Sequence, residues 1–150
     1  MRIRTPRNDF VHLSSGISEV YISLQAMHKR KNIIISKGTE LLRIPPECLI
    51  YVSSDGNYSN IVTSDGNTRL VTLQLGNIED AINNQLGDDG TVFLRLGRGL
   101  IINTEYIFFV DVSKQKLILS DFRGNSHELS ASKEVLGKLK AYIESTEGGK

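Results

Sequence analysis

Five glycine turns punctuate the chain between residues 36 and 125: Lys37-Gly38, Asp55-Gly56, Asp65-Gly66, Asp89-Gly90 and Arg123-Gly124. This spacing constrains the fold more than any other feature, because it leaves little room for long helices and suits short strands joined by tight connections. Asp-Gly between β-type runs is a hairpin signal, since both central residues of the commonest two-residue turn need positive φ. Ser54-Asp55-Gly56-Asn57 recurs ten residues later as Ser64-Asp65-Gly66-Asn67. That repeat reads as turn chemistry at hairpin spacing, not as a duplicated binding unit. The runs between turns are rich in Val, Ile, Tyr, Phe and Thr and predict strands at 33–36, 40–44, 49–54, 58–63, 68–73, 92–96, 100–102, 106–112, 116–121 and 126–129. Residues 60–63 and 68–73 alternate, with one face more polar. Pro45-Pro46 belongs in a connection, because proline cannot donate to a ladder.

Two segments carry a helical period. Leu75, Ile78, Ile82 and Leu86 form one stripe, with Asn77 as the expected N-cap, Glu79 and Asp80 in the first turn, and Gly87 at the end. Leu136, Leu139 and Ile143 form a second stripe, in a helix starting near Ser130–Ser132 and running to about Ser145. Residues 147–150 are expected to form a frayed, flexible tail. In the leading segment, Ile17, Val20, Tyr21, Leu24 and Met27 fit a helix over 17–30, while Val20, Ile22 and Leu24 also fit a strand. The expected division is a basic extension at 1–31, a domain at 32–146 and the tail.

Several function classes lose support. Residues 1–43 hold eight Lys/Arg against three Asp/Glu, and the rest hold ten against fourteen, so a basic leading segment precedes a mildly acidic body. The strongly basic domain typical of nucleic-acid binding is absent. The longest apolar run, Tyr106–Val110, falls far short of the ~18 residues of a membrane span, and no signal-peptide segment follows the basic start. The single Cys48 excludes an internal disulfide and reads as a small buried hydrophobe, and a reduced cytoplasmic setting is expected. His12, His28 and His127 lack metal-ligand spacing, so neither metal nor cofactor is expected. No nucleophile elbow, calcium loop or dinucleotide fingerprint is present, and the function expected is non-catalytic.

Three polar segments remain. Asn57-Tyr58-Ser59 follows a hairpin turn; its phenol and amide suit a phosphate or base edge, although a Tyr there also packs its ring on a sheet. Gly97-Arg98-Gly99 lies between a strand and Leu100-Ile101-Ile102; a guanidinium fork suits phosphate or guanine, although a loop Arg is often simply solvated. Ser132-Lys133 opens the last helix, where N–H groups favour an anion, although capping alone would explain a serine.

Taken together these blocks resemble a known family. Ile50–Tyr58, Thr72-Leu73-Gln74 and Phe93–Asn103, in that order, are similar to a LytTR domain, the DNA-binding output module of many bacterial response regulators. The resemblance covers residues 33–143. It implies a mainly β fold of short antiparallel sheets with one or two short helices and a C-terminal helix. It also implies sequence-specific binding of double-stranded DNA through loops, in two copies on repeated half-sites as a homodimer on DNA. It places Asn57, Tyr58, Ser59, Gly97, Arg98, Gly99, Ser132 and Lys133 at or beside the contacting positions. Where the family commonly has His and Ser around the loop Arg, this chain has Gly97 and Gly99, which removes two polar contacts and predicts a looser loop. Residues 1–31 are too short for a receiver domain, so a transcriptional regulator without one is expected. The alternative is a β-rich protein-interaction module with weak or lost DNA binding.

Overall fold

The computed structural model describes residues 31–148, and within it the residues from Ile33 onward form one compact unit. The helix expected over 17–30 and the basic arm lie outside the described residues.

Among the described residues, ten strands and two helices follow in order: β1 (Ile33–Lys37), β2 (Glu40–Ile44), β3 (Leu49–Asp55), β4 (Tyr58–Thr63), β5 (Thr68–Val71), α1 (Leu75–Leu86), β6 (Phe93–Leu96), β7 (Leu100–Asn103), β8 (Ile107–Asp111), β9 (Lys116–Ser120), β10 (Ser126–Ser130) and α2 (Lys133–Thr146). The strands form three antiparallel sheets, β1-β2, β5-β4-β3-β7-β6 and β10-β9-β8. Pro46 opens a short 3-10 turn between β2 and β3, and Cys48 ends it half-buried against the core.

The five-stranded sheet is buried on both faces. Val52, Ile61, Val71 and Ile101 face one core with Ile33, Ile35 and Ile44 of the β1-β2 hairpin and Leu75, Ile78, Ile82 and Leu86 of α1. Ile50, Val62, Leu96 and Ile102 face a second core with Leu117 and Leu119 of β9 and Leu136 and Leu139 of α2. A bulge between Leu49 and Tyr51 sends both Ile50 and Tyr51 toward the second core. The polar face expected for residues 60–63 is therefore absent at the middle of β4: Ile61 and Val62 are both buried, one in each core, because β4 has a strand on either side and a layer above and below. β5, an edge strand, keeps its exposed residues and buries only Val71.

The α1 stripe is buried as its period requires, but its start differs from the sequence reading. Gln74 is the N-cap, and Asn77 lies inside the helix with its N–H donating to the Gln74 carbonyl at 3.0 Å. The helix begins early because Leu75 is part of the buried stripe. Glu79 is thus beyond the first turn and is used elsewhere. The Gln85 amide accepts from Ile34 N at 2.7 Å and donates to Ile34 O at 2.8 Å, fastening α1 to the backbone of β1.

Candidate nucleic-acid interface

Antiparallel pairing decides which loops meet. β3 ends where β4 begins, with Asp55 opposite Tyr58, and Ser53 of β3 lies opposite Leu100, the first residue of β7. The β3-β4 turn and the β6-β7 loop therefore share one end of the central sheet. Ser54 N donates to Gly99 O at 2.9 Å and joins them directly. The β5-α1 connection reaches the same end, since Ser59 pairs with Val71 and Gln74 Nε2 donates to Asn57 Oδ1 at 3.1 Å.

The β3-β4 turn has Gly56 and Asn57 as its central pair, one position later than Asp55-Gly56. Only Gly56 takes positive φ, at 64°, a conformation open to a residue without a Cβ. This arrangement directs Asn57 and Tyr58 outward, and Tyr58 is 44% exposed. Ser59 points the other way: it is fully buried, and its Oγ donates to Leu73 O at 2.7 Å. It holds the β5-α1 connection under the turn and offers no surface.

The β6-β7 loop is Gly97-Arg98-Gly99, closed by the pair Leu96 and Leu100. Gly97 has φ 62° with open space around its Cα, and Gly99 sits close to Ser54, whose Oγ would lie 3.5 Å from an added Cβ. The loop is tied down more than its glycines suggest. Arg95 Nε donates to Gly97 O at 3.1 Å, Arg95 Nη2 donates to Arg98 O at 3.2 Å, and Arg95 Nη1 contacts Glu79 Oε1 of α1 at 2.6 Å. The Arg98 side chain is exposed and has no partner among the described residues.

Ser132 and Lys133 open α2. Ser132 Oγ accepts from Val135 N at 3.2 Å, so capping is its observed role, and the exposed Lys133 has no ion pair among the described residues. Val135 and Lys138 line a groove of about 330 Å³ together with Arg95, Leu96 and Gly97, which brings the first turns of α2 beside the Arg98 loop.

The site also holds residues that the sequence reading left unassigned. Lys37, at the β1-β2 turn, donates from Nζ to Thr72 O at 2.8 Å. Gln74, Arg95 and Glu79 complete the setting. Arg95 and Gln74 stand inside the sequence blocks that carry the family likeness, yet only the fold shows what they touch.

With this geometry in place, the comparisons are decisive. The profile of the LytTr DNA-binding domain matches residues 39–144, more than two thirds of the chain. The chain belongs to the LytTR family. Among solved structures, a LytTr DNA-binding domain of a methyl-accepting/DNA response regulator from Bacillus cereus shares the fold, with a TM-score of 0.52 and 13% identity over 75% of this chain and 96% of that one. No curated protein matches the chain. The mainly β fold with a C-terminal helix is thus the LytTR fold, and the family is one of DNA-binding rather than catalytic domains. No helix among the described residues is long and apolar enough to cross a membrane, and no group of three or more His, Cys, Asp or Glu among them is placed to hold a metal ion.

Proposed function

We propose that this LytTR domain, residues 32–146, is the DNA-binding part of a bacterial transcriptional regulator. It binds specific double-stranded DNA through loops at one end of its central sheet. The observation that carries the reading is the joining of residues 57–58 and 97–99 at one sheet end, with the Arg98 side chain unpaired among the described residues. Arg98 supplies a fork for guanine or phosphate. Tyr58 and Asn57 offer a hydroxyl and an amide beside it, while Lys37 and Lys133 with the N-terminus of α2 add attraction for the backbone. Ser59 and Gly99 serve by position, and Gly97 by its open backbone. Two copies on repeated half-sites follow from the family, and the positive surplus of residues 1–43 adds sequence-independent attraction.

The test is titration of the full chain with duplexes selected from random fragments, at several salt concentrations. Loop and backbone contacts predict affinity that falls linearly on a log–log plot, with a slope of about −0.9 per phosphate neutralised. Absence of saturable binding to any duplex at low salt would overturn the reading.

A second reading, a protein-interaction module, is favoured by one observation. Phe108, Phe109 and Phe122 are 58%, 43% and 74% exposed, and the rings of Phe108 and Phe122 meet edge to face at 5.4 Å. Phe122 sits at φ 58°, a conformation that costs a bulky residue about 1–2 kcal/mol. Its loop is braced by Asn125, which donates to Ser64 O at 2.9 Å at the other end of β4 from Tyr58. This patch is remote from the proposed DNA end, so the two activities are separable by mutation.

A further inference from the structure

The geometry points to Arg95 as the residue that sets the Arg98 loop for DNA, with Glu79 as its anchor. The inference deepens the duplex reading and rests on it. Two glycines around Arg98 give the β6-β7 loop many backbone states, and a contact made by a wandering loop loses affinity to ordering. Arg95 counters this. Its Nε and Nη2 form one edge of the guanidinium plane, and that edge spans the carbonyls of Gly97 and Arg98 at 3.1 and 3.2 Å. Nη1, on another edge, reaches Glu79 Oε1 at 2.6 Å, with the two side chains 29% and 35% exposed. Glu79 is five residues into α1, and α1 is fixed by its buried stripe. The loop is thus registered against a rigid helix as well as against its own strands.

The same edge has an electrostatic consequence. It occupies two carbonyl oxygens beside the proposed phosphate path, so less negative charge is left bare there. A lysine has the charge but not the planar fork, and cannot span both carbonyls while holding Glu79. Arg95 is therefore a positioning residue: it touches no DNA in this account, and it acts through Arg98.

Two substitutions in the full chain separate positioning from charge. Arg95→Lys keeps the net charge. Positioning predicts roughly tenfold weaker binding to a selected duplex, with a smaller loss on its scrambled counterpart and an unchanged salt slope. Glu79→Ala removes one negative charge near the site. Coulomb attraction alone predicts tighter binding, whereas positioning predicts weaker binding, and the sign decides between them. Backbone N–H order parameters of residues 97–99 in the free protein read the clamp without DNA, and should fall in both variants while those of Ile101 and Ile102 stay high. Unchanged order parameters at 97–99 would overturn the clamp. Lower order parameters with unaltered affinity and preference would overturn its role in binding. If the wild type binds no duplex, the DNA reading fails and the binding role of Arg95 falls with it, while the order parameters still decide the clamp.

Discussion

The tetrapeptide Ser-Asp-Gly-Asn closes both ends of β4 and folds in two ways. At 54–57 the aspartate is still in β3, the pair Asp55 and Tyr58 closes a two-residue turn, and the asparagine looks outward to Gln74. At 64–67 the last ladder pair is Val62 and Thr68, leaving a five-residue loop. There Asp65 turns back into the loop, accepting from Thr63 Oγ1 at 2.6 Å, Asn67 N at 3.1 Å and Asn67 Nδ2 at 3.0 Å. Identical local chemistry thus gives an outward-facing turn at one end and a self-satisfied one at the other. Register decides between them, and register is set by Ile61 and Val62, which must enter opposite cores.

The strongest way to break this comparison is to remove its cause. Ile61→Ala, at a site 1% exposed, should cost about 2–5 kcal/mol by urea unfolding and loosen both turns together. A loss confined to one turn, read by amide exchange, would contradict control by the shared strand.

Next in size is the structural turn. Asn125 Nδ2 bridges Ser64 O and Asp121 Oδ2, each at 2.9 Å. Asn125→Ala should cost about 1–3 kcal/mol of stability and leave duplex affinity unchanged. Asn57→Ala should do the reverse, with stability held within about 0.5 kcal/mol and affinity reduced.

The ten strands and both apolar helical stripes were legible in the sequence because each follows from a short-range period and its turns. The errors also have physical causes. Asn77 has the chemistry of a cap, but burial of Leu75 starts α1 earlier. Ser59 has the chemistry of a contact, but its place opposite Val71 turns it inward. The glycines around Arg98 suggested a loose loop; Arg95 restrains it and is itself held by Glu79, sixteen residues before it, a distance no local pattern encodes. The place of Arg98 in an exposed loop between two strands was legible from its block.

The smallest expected effect is on pH. The carboxyl of Asp65 is held below the ordinary 3.8, chiefly by the Thr63 hydroxyl and then by Asn67. Asp121 is lowered in the same way, by the Asn125 side chain and then by Arg123 N–H. Groups with lowered folded values stabilise fully above the unfolded value near 3.8, and that contribution is lost as pH falls from there through the folded values. Asp65→Asn should therefore reduce the acid dependence of thermal unfolding below about pH 4 and change nothing at pH 7 in the DNA titration. An unchanged acid limb would mean that the Asp65 loop is not held in solution.

The central claim, that the open end of the sheet binds DNA through Arg98, is tested most directly by titrating wild type and Arg98→Ala against a selected duplex and its scrambled counterpart at several salt concentrations. The Arg98→Ala variant should fold and lose about 1–3 kcal/mol on the selected duplex, with preference relaxed at one position if Arg98 reads a guanine. If it contacts only phosphate, both duplexes weaken alike and the salt slope becomes shallower by about one. A folded Arg98→Ala protein that binds both duplexes as the wild type does, with the same slope, would contradict it.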